Sequence, residues 1–265
     1  MASERSNEVR EREPKRPLTD EQRLALRHRK RAHPARGDKF YAHLIDLRDG
    51  LAEALDGAVG DWLDYGAGTA PYRGLLGKAK LWTADLEGAR SNPVDYVLEA
   101  DGPIPMPDGS FDGVLSTQVL EHVPDPGFYL QECRRVLKET GTLVLSTHGT
   151  WRDHTAVDLW RWTAAGLATE VERAGFVVDR CVKLTGDARA VLTLLRWQLR
   201  STAWPAFHPM GLILRTLRII DAVRPALLNS YADRYFPQSD RDSAEYRLYL
   251  DVLIVARPAS RTKTQ

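Results

Sequence analysis

The stretch Trp62-Leu63-Asp64-Tyr65-Gly66-Ala67-Gly68 decides the fold. A short apolar run carrying one acid stops at glycine, which reads as a buried strand entering a tight turn. Pro71 then suits the first turn of a helix through residues 72–76, where its missing N–H is harmless. Upstream, Phe40, Leu44, Leu47, Leu51 and Leu55 share one helical face, and Gly57 and Gly60 end it. Downstream, strand patterns at 81–84, 96–98, 111–116, 142–147 and 176–184 alternate with helical patterns at 125–139 and 163–174. A last strand pattern spans 247–256 and lacks a crossover helix just before it, so it is expected to enter antiparallel. The alternation predicts an α/β fold with a doubly wound, mostly parallel seven-stranded sheet.

Before that last strand lies a helical insertion, 187–230, with helical stretches at 188–204 and 210–228. Arg196, Arg200, Arg215, Arg218 and Arg224 interrupt its apolar faces. This pattern suits a lid on the sheet, a peripheral membrane or lipid contact, or a homodimer interface, and leaves all three open. Residues 1–36 form a polar arm whose first part reads as disordered and whose 19–31 segment reads as a helix; residues 37–265 form the main domain. The basic run Arg27-His28-Arg29-Lys30-Arg31 is either a solvated face or a clamp on an anionic ligand.

The chain has 265 residues, 43% of them apolar, which is enough for a real core. Its 37 basic and 36 acidic residues give a formal charge of +1, not the basic excess of a dedicated nucleic-acid binder. Cys133 and Cys181 have no metal-type spacing and no disulfide framework, so a cytoplasmic setting is expected. The N-terminus has no apolar signal run, and no stretch has the length of a membrane span.

Acids and amides fall at successive strand ends, where open α/β sheets bind ligands. Asp64, Gly66 and Gly68 follow the first strand, Asp85 closes the second, Asp101 the third, and Gln118 follows the fourth. The two glycines let backbone approach a ligand closely. Asp85, about twenty residues on, can accept both hydroxyls of a ribose. Asp101 can accept from an exocyclic amine. A dinucleotide fingerprint needs a third glycine where Pro71 stands. Asp64 would also repel a pyrophosphate and attract an ammonium group. S-adenosyl-L-methionine fits these constraints.

With these residues in hand, the chain resembles the class I S-adenosylmethionine-dependent methyltransferases of the ubiquinone and menaquinone biosynthesis group, and so implies their Rossmann-like fold. Leu63–Thr69 matches the first family motif and Asp85-Leu86 the second. Asp101 with Ile104-Pro105-Met106-Pro107-Asp108-Gly109-Ser110-Phe111-Asp112 matches the third, and Ser116–Val123 the fourth. The resemblance covers roughly residues 58–184. It implies that Asp64, Tyr65, Gly66, Ala67 and Gly68 hold the methionine part, Asp85 with Leu86 the ribose, Asp101 with Gly102 the adenine, and that Gln118 lies near the methionyl group. Ala70 stands where the family often has a third glycine. Tyr65 and Tyr72 suit either cofactor contact or packing.

Methyl transfer needs in-line alignment, and a base only where the acceptor must lose a proton. The segment 146–154 offers His148 and His154 as catalytic candidates, with Asp153 or Asp158 to orient one. His122, Trp151, Trp160 and Arg161 are the substrate candidates; Asp158–Thr163 resembles a D-Y-W-R-W/Y-T segment of bacterial members. No metal is expected, because the histidine spacing matches no metal motif. The expected activity is methyl transfer to a small-molecule acceptor: a natural product, a sugar or a lipid-like molecule. The alternatives are a cofactor-binding protein without transferase activity and a methyltransferase of RNA or protein. No Asn-Pro-Pro-Tyr motif follows the fourth strand, and no nucleic-acid partner is expected.

Overall fold

The computed structural model describes residues 17–87, 93–100, 102–201, 209–237 and 247–260. Asp101 and the first part of the arm lie outside these described residues. Seven strands form one sheet: β1 (Asp61–Tyr65), β2 (Lys80–Leu86), β3 (Tyr96–Leu98), β4 (Phe111–Thr117), β5 (Leu137–His148), β6 (Phe176–Gly186) and β7 (Tyr249–Pro258). Their order is β3-β2-β1-β4-β5-β7-β6. β7 runs antiparallel to both β5 and β6, while the other pairs are parallel. The antiparallel last strand agrees with the absence of a crossover helix before it.

Helices α1 (Asp20–Ala32), α2 (Tyr41–Ala54), α3 (Pro126–Val136), α4 (Ala164–Arg173), α5 (Asp187–Ser201), α6 (Pro209–Val223) and α7 (Pro225–Tyr235) surround it. On one face, Leu47, Leu51 and Leu55 pack on Trp62, Leu115, Val144 and Leu253. On the other, Leu130, Cys133 and Val136 of α3 and Leu167 and Val171 of α4 pack on Leu63, Val114, Leu143 and Ile254. Burying each large aliphatic chain contributes about 1.5–3 kcal/mol, so these helical stripes set which way each helix faces.

Three boundaries differ from the sequence reading. Residues 72–76 make a single 3-10 turn, Arg73–Leu75, not a helix; Gly74 weakens helix there and Gly77, with φ +56°, ends it. The helix expected to reach residue 139 stops at Val136, because β5 starts at Leu137 and pairs it with Phe111. The single helix expected over 210–228 is two, split at Arg224-Pro225, since proline cannot donate and disfavours helical backbone in the residue before it.

The chain reverses its direction of sheet growth between β1 and β4. A ligand crevice therefore opens where their carboxyl ends diverge. Leu51 is fully buried beneath this sheet. We expect Leu51→Ala to lower stability by about 2–5 kcal/mol, read from the midpoint of urea unfolding.

Candidate active site

β1 delivers Asp64 and the turn to the crevice. Gly66 adopts φ +81°, and a Cβ there would stand 2.5 Å from Val119 Cγ2, so only glycine fits between the turn and the segment after β4. The backbone N–H groups of Gly66 and Ala67 donate to Ala84 O at 2.8 and 3.1 Å. Gly68 N–H donates to Asp85 Oδ2 at 2.7 Å, and Leu86 N–H to Oδ1 at 2.8 Å. Asp85 is thereby fixed at the tip of β2 with lone pairs left for hydroxyls. Leu86 itself is half exposed, and Gly102 lies beyond β3.

Asp64 is buried, and its Oδ1 has no hydrogen-bond partner. Burial, then the nearby Asp85 charge, pushes its pKa up to about 7. An orphaned buried carboxylate oxygen beside a glycine turn is the feature an ammonium-bearing cofactor would satisfy. The Tyr65 ring points the other way, stacked on Tyr129 at 4.1 Å, so its side chain serves the core and only its backbone borders the turn. Tyr72 is core as well. α1 closes over the turn: His28 Nδ1 lies 3.0 Å from Thr69 O, and Arg29 grips Asp38 at 2.6 and 2.8 Å. Arg31 stands near enough to Asp64 to oppose its upward shift. The basic run is thus placed against the Asp64–Thr69 turn.

Gln118 follows β4 with φ +56°, an uncommon backbone for a non-glycine residue. Its N–H donates to Ser146 O at 2.8 Å and its Nε2 to Asp251 Oδ1 at 3.3 Å, while its buried Oε1 has no partner. Asp251 is a hub that the sequence reading missed. It sits in β7 opposite His148 of β5, and is fully buried. His148 Nδ1 lies 2.8 Å from its Oδ1 and His43 Nδ1, on α2, 2.6 Å from its Oδ2. Burial alone would raise the Asp251 pKa, but the two imidazoles outweigh it and hold the carboxyl well below its usual range. The signal available in the sequence was an acid inside the apolar run Leu250–Val255.

The loop after β5 folds back over the crevice. Trp151 stacks on His43 and His148, at ring distances of 4.8 and 5.4 Å. Trp160 Nε1 donates to Val123 O, and the Leu159 and Trp160 N–H groups donate to Glu121 O. Arg161 spends its donors inside the loop, on Asp158 and on the carbonyls of Trp151, Arg152 and Trp160. Its charge braces the loop rather than standing open to substrate. His154 Nδ1 meets Asp158 Oδ2 at 2.9 Å, and Asp153 is left at the surface. Glu121, fully buried, also faces His148, at 3.4 Å from its Nε2; it was not anticipated because it arrives from the turn after β4.

The sequence profile of a family described as a methyltransferase domain matches residues 63–145, the span from β1 through most of β5. The chain carries an S-adenosylmethionine-dependent methyltransferase domain. A 44-residue segment is 46% identical to a "Probable S-adenosylmethionine-dependent methyltransferase" of Mycobacterium tuberculosis, covering 17% of this chain and 16% of that protein. A ubiquinone biosynthesis O-methyltransferase of Xanthomonas oryzae is 42% identical over 66 residues, 24% of this chain and 28% of the relative. One from Marinobacter nauticus is 37% identical over 113 residues, 39% and 48% respectively. The matched region thus spans less than half the length of each of these curated relatives. Among solved structures, a Haloferax volcanii complex with the Trm112 methyltransferase activator gives a TM-score of 0.50 at 20% identity, over 82% of this chain and 90% of that one. The [4+2]-cyclase SpnF gives 0.51 at 19%, over 84% and 85%. At these identities the two share the methyltransferase domain's fold and nothing finer.

The raised pKa of Asp64 has a definite sign. The folded, ligand-free domain holds a proton that the unfolded chain has already lost, so its stability falls as pH rises from the ordinary carboxylate range to about 7. An ammonium group needs the ionised carboxylate. Affinity for S-adenosylhomocysteine, measured by calorimetry, should therefore weaken as pH drops below about 7, and Asp64→Asn should bind weakly with that pH dependence removed.

Proposed function

We propose that the protein transfers a methyl group from S-adenosylmethionine to a small, lipid-like acceptor held under the loop of residues 148–162. Asp64, the Gly66–Gly68 backbone, Asp85 and Gln118 would hold the cofactor, with Asp101 expected at its adenine. When bound, the cofactor supplies an electrophilic methyl on sulfur. The observation that carries the reading is the shared Asp251: one carboxylate accepts from both Gln118, at the cofactor side, and His148, at the loop side. It orients His148 by its Nδ1 and leaves Nε2 facing the acceptor side, where Glu121 and His154 also stand. His148 and His154 are the groups assigned to activating the acceptor; Asp251 and Arg161 position them. Trp151 supplies a flat apolar wall and helps exclude water. With labelled S-adenosylmethionine and a lipid extract, methyl label should enter the organic phase. His148→Ala should cut that turnover by about 10²-fold or more while S-adenosylhomocysteine still binds. Label entering RNA or protein instead would reverse the choice of acceptor.

The lipid-like acceptor rests on the inserted helices. Of α6 only Gly211 and Asp221 are buried, while Leu212, Ile213, Ile219 and Val223 are all more than half exposed. The polar side faces inward: Asp221 pairs with Arg196 and Arg200 of α5, and Arg189 pairs with Asp46 and Asp233. Such an inside-out helix needs an apolar neighbour. The exposed charges of α6, of α7 and of the break between them are Arg215, Arg218, Arg234 and Arg224, and neither helix has an exposed carboxylate among the described residues. Each arginine near an anionic bilayer contributes about 1 kcal/mol. The face therefore fits an anionic membrane surface. α5 links it to the active site, since Arg152 stacks on Trp197 at 4.4 Å. Phosphatidylglycerol vesicles should sediment the protein, phosphatidylcholine vesicles should not, and Leu212→Glu with Ile219→Glu should abolish the effect. A stable dimer in solution that these substitutions dissociate would instead give the face to a second copy.

A further inference from the structure

Four ligand-type side chains converge where β5 ends. Glu121 is fully buried; its Oε2 accepts from Thr147 Oγ1 at 2.8 Å, while its Oε1 is buried with no hydrogen-bond partner. His148 Nε2 lies 3.4 Å from that oxygen and His122 Nε2 4.0 Å. One ring nitrogen each of His148 and His154 and a Glu121 oxygen all fall within 4.8 Å of one another. The far nitrogen of every imidazole is already occupied. Asp251 takes His148 Nδ1 at 2.8 Å, Asp158 takes His154 Nδ1 at 2.9 Å, and the Val157 carbonyl takes His122 Nδ1 at 2.5 Å. Arg161 in turn clamps Asp158 with two contacts of 2.6 Å.

Outer acceptors of this kind, carboxylate or carbonyl on Nδ1, are what fixes a histidine with its Nε2 turned to a metal. A buried carboxylate oxygen without a donor is costly unless something cationic meets it. We propose that Glu121, His148 and His154 bind one divalent first-row transition-metal ion, with His122 alongside as a fourth group. An imidazole-rich set with one carboxylate suits zinc or iron(II); magnesium and calcium favour oxygen ligands. The ligands come from the turn after β4, the end of β5 and the loop beyond it, so no local spacing in the sequence announces them. An ion on His148 Nε2 would exclude a proton from the same atom. Activation of the acceptor would then pass to the ion, which could hold a hydroxyl beside the methyl donor. That use rests on the proposed methyl transfer; the binding of the ion does not.

The test uses the full chain, stripped with a chelator and titrated with cobalt(II). The expected result is one equivalent bound, with visible absorption bands of a nitrogen- and oxygen-ligated ion that zinc(II) abolishes. Glu121→Gln and His154→Ala should each weaken binding at least tenfold. Asp158→Asn, which alters the acceptor on His154 Nδ1 and leaves all the proposed ligands in place, should weaken it about 10- to 100-fold. S-adenosylhomocysteine binding, measured on the same samples, reports a folded domain and an intact cofactor turn. Protein that binds S-adenosylhomocysteine but shows no cobalt bands would overturn the metal site and leave a plain imidazole–carboxylate contact. Bands that persist in Glu121→Gln and His154→Ala would overturn it too. Cobalt bound in the predicted way without any methyl transfer would uphold the metal site and count against the transferase reading alone.

Discussion

Everything around the crevice depends on one buried carboxylate, Asp251. A charged group with no exposure in the middle of a sheet is costly unless it is fully paired. Here the pairing comes from three elements: His43 on α2, His148 at the end of β5 and Gln118 after β4. Removing it would leave two imidazoles and an amide without their acceptor at once. The antiparallel β7, wedged between β5 and β6, is what carries Asp251 to this position. The last strand is therefore part of the site as well as the completion of the sheet.

The second constraint is the reversal of sheet growth at β1 and β4. It opens the crevice between the Gly66–Gly68 turn and Gln118, and both sides adopt backbone that ordinary residues avoid, with φ of +81° at Gly66 and +56° at Gln118. Val119 packs directly over Gly66, so the two turns hold one another. Strained backbone of this kind persists where packing over-determines it. The same close approach leaves Asp64 Oδ1 and Gln118 Oε1 buried and unpaired, one from each side. Two acceptors without donors, flanking a crevice, ask for a ligand rich in N–H groups.

The sequence made the sheet and the glycine turn legible because both rest on local signals: short apolar runs, glycine at the turn, and acids at strand ends. All seven strands lie where alternation placed them, give or take a few residues at each end. What it hid depends on contacts between distant segments. His43, Glu121 and Asp251 come from α2, the turn after β4 and β7, and only the folded sheet brings them to His148. Arg161 looked available for substrate because its bonds to Asp158 and the loop carbonyls cannot be seen in a linear reading. The inserted helices showed their apolar faces but not their direction. It is the inward Asp221, paired with Arg196 and Arg200, that turns those faces to the outside.

The glycine turn, the shared carboxylate and the histidine loop thus lie together at the carboxyl ends of β1, β4 and β5. The measurement that tests this most directly is a structure of the full chain with S-adenosylhomocysteine bound. This arrangement places its amino group on Asp64, its ribose on Asp85, and its sulfur opening toward the space lined by His148, Trp151 and His154. A ligand whose sulfur faces away from that loop, or one that leaves Asp64 and Gln118 unpaired, would contradict it.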